Sequence, residues 1–130
     1  MRKLQRQLSP LVALILLSSC AGITSGNDPV VVNAERTTQV ALDTFDSFVK
    51  YEYNNKATLQ KLNPNIHKYA NTVRKNGAQW LASARAFTQA YKYNRTADKK
   101  ANLETAIAVL QAAITQIGQY MSEAGANTNP

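Results

Sequence analysis

Residues 63–91, NPNIHKYANTVRKNGAQWLASARAFTQAY, decide the fold of this 130-residue chain. Asn63 followed by Pro64 is a helix start: the asparagine side chain can accept from an unpaired backbone amide, and proline at the first helical position sacrifices no hydrogen bond. Ile66, Ala70, Val73, Gly77, Trp80, Ala84, Phe87 and Tyr91 then recur by threes and fours. That spacing places them on one face of a 3.6-residue helix. Glycine inside a helix costs about 1 kcal/mol against alanine. Gly77 lies on the apolar stripe, which predicts close approach by a bulky neighbour, Phe48 or Val49.

The flanking segments carry the same period. Before Asn63, Ala34, Ala41, Leu42, Phe45, Phe48 and Val49 share a face that Leu59 and Leu62 extend, with Asn33 or Asp28 as the capping residue. Asn54-Asn55 is a soft spot, and the expectation is that the helix runs through it. After Asn94-Arg95, Thr96 caps a last helix with Leu103, Ile107, Leu110, Ile114, Ile117 and Met121 on its stripe, Gly118 in the role of Gly77, and Gly125 as its end. No window alternates with period two. The connections around 62–64 and 94–96 are short, and short links make consecutive helices antiparallel neighbours. The expected fold class is all-α, an antiparallel up-down-up three-helix bundle over residues 30–125, or four helices if the first breaks near Asn54. Residues 126–130 form a loose tail.

The N-terminus has a different design. Arg2, Lys3 and Arg6 precede an apolar run, Leu11 to Leu17, that ends in Leu17-Ser18-Ser19-Cys20. Basic start, short apolar run and small residues are the layout of an export signal. The run falls well short of the roughly 20 residues that span a bilayer. It resembles a bacterial lipoprotein signal, whose box has an aliphatic residue, two small residues and cysteine. The resemblance implies removal of residues 1–19 by cleavage between Ser19 and Cys20, lipidation of Cys20, and residence in the cell envelope. With Ala21 rather than aspartate after the cysteine, it implies the periplasmic face of the outer membrane. Residues 20–29 then read as a lipidated cysteine and a flexible tether, typically ~15–20 Å long, although Pro29 can equally open a helix capped by Asp28.

The formal charge is +7. Without the three basic residues of the signal it becomes +4, from 12 basic and 8 acidic side chains. That bias is too mild to point to nucleic acid. Cys20 is the only cysteine, so no disulfide or thiolate metal site can form within the chain.

Chemistry-bearing residues are sparse. His67 is the only histidine, and with no second histidine or thiolate and no nearby acidic pair it reads as a partly exposed helix residue. Asp43 and Asp46 read as solvated charges, Asp46 pairing with Lys50, and Glu52 as half-buried against a tyrosine or lysine. The chain has no phosphate-binding glycine loop, nucleophile elbow or zinc motif. The expectation is therefore no enzyme, no metal, no cofactor and no small-molecule substrate. Tyr51 and Tyr53, like Tyr91 and Tyr93, form similar pairs in which one ring closes the core and the other faces out.

Two surfaces remain. Lys92, Arg95, Lys99 and Lys100 cluster at the last turn, with Lys68, Arg74, Lys75 and Arg85 along the preceding helix, a candidate site for anionic glycan or lipopolysaccharide. The last helix carries no charge from Thr105 to Ser122. Its Thr105, Ala108, Val109, Ala112, Gln116 and Gln119 are candidates for a protein interface or for self-association. The leading expectation is a non-enzymatic interaction or structural lipoprotein. The alternatives are the anionic-glycan binder and, by analogy with other small helical lipoproteins, a phage- or plasmid-encoded exclusion or lysis factor.

Overall fold

The computed structural model describes residues 28–125, which are helical throughout apart from short connections. The signal, Cys20, the tether as far as residue 27 and the tail 126–130 lie outside the described residues. Four helices follow one another: α1 Pro29–Asn54, α2 Lys56–Leu62, α3 Pro64–Tyr93 and α4 Ala97–Glu123. No strand occurs among the described residues, and none of these helices is long and apolar enough to cross a membrane. The chain divides into two units, Met1–Asn33 and Ala34–Pro130. Within the first, Asp28 Oδ1 accepts from the Val30 amide at 2.8 Å and Pro29 is the first helical residue. Asp28 is thus the cap, and Asn33 lies inside the helix. Everything below concerns the second unit.

The expected continuity through Asn54-Asn55 does not hold. Asn55 leaves helical geometry at φ −120°, ψ 20°. Its Nδ2 donates to the Tyr51 carbonyl at 2.9 Å, in competition with its own amide, which reaches the same oxygen at 3.1 Å. This local alternative to the backbone ladder is why asparagine is a poor interior helix residue. The helix restarts as α2, where Leu59 is buried and Leu62 is exposed, against the expected extension of the stripe.

The other caps follow the sequence. Asn63 Oδ1 accepts from the Asn65 amide at 3.0 Å, and Thr96 Oγ1 from the Lys99 amide at 3.3 Å. Gly125 takes the left-handed conformation, φ 72°, just beyond α4.

The core is built from three stripes. Ala34, Thr38, Ala41, Phe45, Phe48 and Glu52 are buried on α1, and Leu103, Ala106, Ile107, Leu110, Ala113 and Ile117 on α4. Leu42, placed on the α1 stripe by its spacing, is exposed. On α3, Leu81 and Thr88 take the buried places expected for Trp80 and Phe87. Each seven-residue step falls about 20° short of whole turns, so the series 66, 73, 80, 87 walks off the buried face and the next residue replaces it. Trp80 meets Phe45 edge-on instead, with ring centroids 6.0 Å apart.

Phe45 is also the neighbour of Gly77: a methyl group there would come within 3.2 Å of Phe45 Cδ2. The close approach is as expected, but the partner is not Phe48 or Val49. At Gly118 an added methyl meets nothing within 4 Å, so the same explanation fails there.

Partners across α1 and α3 run in opposite order: Glu35 with Lys92, Phe45 with Trp80, Phe48 with Tyr69. Tyr69 with Tyr120 and Asn63 with Glu123 join α3 to α4.

Candidate functional surfaces

The one buried ionic cluster among the described residues lies where α1 ends beside the first turns of α3. Glu52 is 0% exposed. Its Oε1 accepts from Arg74 Nη2, and its Oε2 lies 3.0 Å from His67 Nδ1. Asn71 closes the ring, with Oδ1 accepting from Arg74 Nη1 at 2.8 Å and Nδ2 at 3.2 Å from His67 Nε2. Because the amide oxygen is committed to Arg74, Asn71 can only donate to Nε2, which must hold a lone pair. That assigns the ring proton to Nδ1, donated to Glu52. Burial alone pushes the Glu52 carboxyl up. The hydrogen bonds from His67 and Arg74, with the Arg74 charge, outweigh it and hold the group below its ordinary value of 4.5.

His67 is partly exposed, as its position suggested, and its partner comes from another helix. One expectation is corrected: Glu52 is fully buried against arginine and histidine rather than half-buried against tyrosine or lysine. Both histidine nitrogens are engaged, and the cluster works as a clamp between α1 and α3. No group of three or more metal-ligating side chains occurs among the described residues.

The basic tip is partly neutralised. Lys92 pairs with Glu35 at 3.0 Å and Lys100 lies 3.8 Å from Glu104. Arg95 donates to the Lys92 carbonyl at 3.2 Å and sits 5.7 Å from the Tyr91 ring centre. The Lys99 ammonium has no ion pair among the described residues. The tyrosine pairs divide as expected: Tyr91 is buried and Tyr51 half-buried, while Tyr53 and Tyr93 are 73% and 93% exposed.

On α4, Thr105, Ala108, Val109, Ala112 and Gln119 are exposed and Gln116 is half-buried. The Thr105 hydroxyl donates to the Ala101 carbonyl at 2.9 Å, so even this polar side chain turns its proton inward. On the other side of α4, a groove of about 400 Å³ has Thr44, Ser47 and Phe48 of α1 on one wall and Ile114, Ile117 and Gly118 of α4 on the other.

One electrostatic feature goes beyond the expectations, although the sequence carries it openly. No acidic residue occurs between Glu52 and Asp98, a stretch that contains all of α2 and α3. The acids of the described residues lie on or beside α1 and α4. On the flank of α3 that faces α1 stand His67, Arg74, Arg85 and Lys92. Glu52 and Glu35 meet all of these but Arg85. Lys68 and Lys75 are exposed.

No protein-family model matches this chain, and neither a curated protein nor a solved structure matches it.

Proposed function

We propose that the chain is a non-enzymatic bacterial envelope lipoprotein, anchored through Cys20, whose helical domain is a contact module for a protein partner or for a second copy. The domain is an antiparallel up-down-up bundle in which α1 and α2 together form the first arm. The reversed order of partners across α1 and α3, and the three-residue link between α3 and α4, support that topology. The observation that carries the functional reading is the exposed face of α4. Helices that only meet water are usually charged on their outer side, whereas this one presents Thr105, Ala108, Val109, Ala112 and Gln119 with no charge among them. Confinement to one membrane raises effective concentration, so a weak interface suffices. The lipoprotein assignment rests on the resemblance of residues 1–20 to a lipoprotein signal.

The experiment is sedimentation of the lipid-free domain, with and without Ala112→Lys and Gln116→Lys. A concentration-dependent mass that the lysines abolish supports self-association. A monomer in both forms excludes it and leaves a foreign partner.

A second reading, binding of anionic envelope glycan or lipopolysaccharide, is favoured by the acid-free stretch from α2 through α3. The paired state of Lys92 and Lys100 moves its centre from the tip toward Lys56, Lys61, Lys68 and Lys75. Its test is salt-sensitive binding to lipopolysaccharide that falls when those four lysines are neutralised.

A further inference from the structure

We infer that the polar groove around Arg85, between α1 and α3, binds a small sugar acid, a single ring carrying one carboxylate and several hydroxyls. Glu35, Thr38, Gln39, Arg85, Thr88 and Gln89 line it, and its volume is about 260 Å³. Pockets for drug-sized ligands begin at about 300 Å³, so this one takes a single ring.

Two anomalies of the seam meet here. The first is polar residues at core positions: Thr38 and Thr88 are 6% and 4% exposed, on stripes otherwise filled at this level by Ala34, Ala41 and Ala84. Each hydroxyl donates back to its own helix, Thr38 to the Ala34 carbonyl and Thr88 to the Ala84 carbonyl, both at 2.7 Å. Their protons are committed and their remaining lone pairs can only accept. The second is Arg85, exposed, and the one cation of the α1-facing flank of α3 that meets no carboxylate among the described residues.

The ligand class follows from matching these groups. Arg85 presents a planar fork suited to one carboxylate. Around it acceptors predominate: the two threonine oxygens, the Gln39 carboxamide oxygen left free when Nε2 donates to Asp43 at 3.2 Å, and the Glu35 carboxylate, which Lys92 holds through Oε1, with the Gln89 carboxamide able to donate or accept. These demand donors, which hydroxyl groups supply. A neutral sugar leaves the Arg85 charge without a counter-charge. A bare anion uses Arg85 alone and faces Glu35, and a polyanion is opposed by Glu35 more strongly. The site is separate from the α4 face and from Lys56, Lys61, Lys68 and Lys75, so its failure leaves both of those readings untouched.

The test is calorimetric titration of the full chain in detergent micelles with glucuronate, glucose and acetate, at fixed ionic strength. Saturable glucuronate binding is expected, with glucose and acetate at least tenfold weaker. Arg85→Gln should weaken glucuronate at least tenfold and Thr38→Val several-fold, while Lys50→Gln leaves it unchanged, each variant being checked for retained helicity and thermal midpoint. Equal affinity for acetate and glucuronate, absence of binding, full affinity in Arg85→Gln, or an equal loss in Lys50→Gln would each overturn the assignment.

Discussion

Glu52 on α1 is fully buried, whereas its partner Arg74 on α3 keeps 31% of its side chain exposed. The two ends of this ion pair therefore lose different things when the other is removed. Without Glu52, Arg74 turns to water and His67 loses a single hydrogen bond. Without Arg74, a carboxylate stays buried with only His67 to hold it. Stranding a buried charge costs about 3–5 kcal/mol, and losing one buried hydrogen bond about 1–2 kcal/mol. Arg74→Ala should thus destabilise the domain by about 3 kcal/mol and Glu52→Gln by about 1–2 kcal/mol. Urea unfolding of the two variants checks the order, and a larger loss in Glu52→Gln contradicts it.

Acid should act through the same carboxyl. Glu52 is held below 4.5 in the folded chain, so over that range the unfolded chain binds the proton more readily. The contribution is fully present above the ordinary carboxylate range and is lost as pH falls below about 4.5 toward the folded value. The stability difference between the parent chain and Glu52→Gln should shrink as pH falls below about 4.5. Urea midpoints measured at each pH show whether it does.

The two helical glycines should respond in opposite directions. At Gly118 nothing lies within 4 Å of an added methyl, so Gly118→Ala gains helix propensity of about 0.8–1 kcal/mol. At Gly77 the methyl presses on Phe45 Cδ2 at 3.2 Å, and Phe45 is itself set edge-on against Trp80. Gly77→Ala should lower the thermal midpoint, Gly118→Ala should raise it, and calorimetry separates them.

The proposed anchoring gives a covalent prediction. The mature protein recovered from membranes should begin at Cys20 and carry a diacylglyceryl group there. Intact-mass measurement reads both features at once, and replacement of Cys20 by serine should leave residues 1–19 attached.

The helical class was legible because three stripes, the caps at Asn63 and Thr96 and the stop at Gly125 all agree with one another. The break at Asn55 was not, because it turns on one amide competing for the Tyr51 carbonyl, which apolar periodicity does not register. The clamp was half legible. His67, Asn71 and Arg74 stand at i, i+4 and i+7, one flank of a helix, but the carboxylate they hold lies 15 residues before His67 and 22 before Arg74, on another helix. A search for acids on the same helix misses it. The acid-free stretch from α2 through α3 needed no structure. Its consequence at Arg85 did, since only the α1–α3 pairing reveals which cations find carboxylates.

Site-specific photocrosslinking in intact cells tests the contact face most directly. A photoreactive residue in place of Ala112, on the uncharged face of α4, is compared with one in place of Ala82, exposed on α3. The expected result is a discrete higher-mass product from position 112 and none from position 82. Products of equal yield from both positions, or none from position 112, would contradict the proposal that α4 is the working surface of this domain.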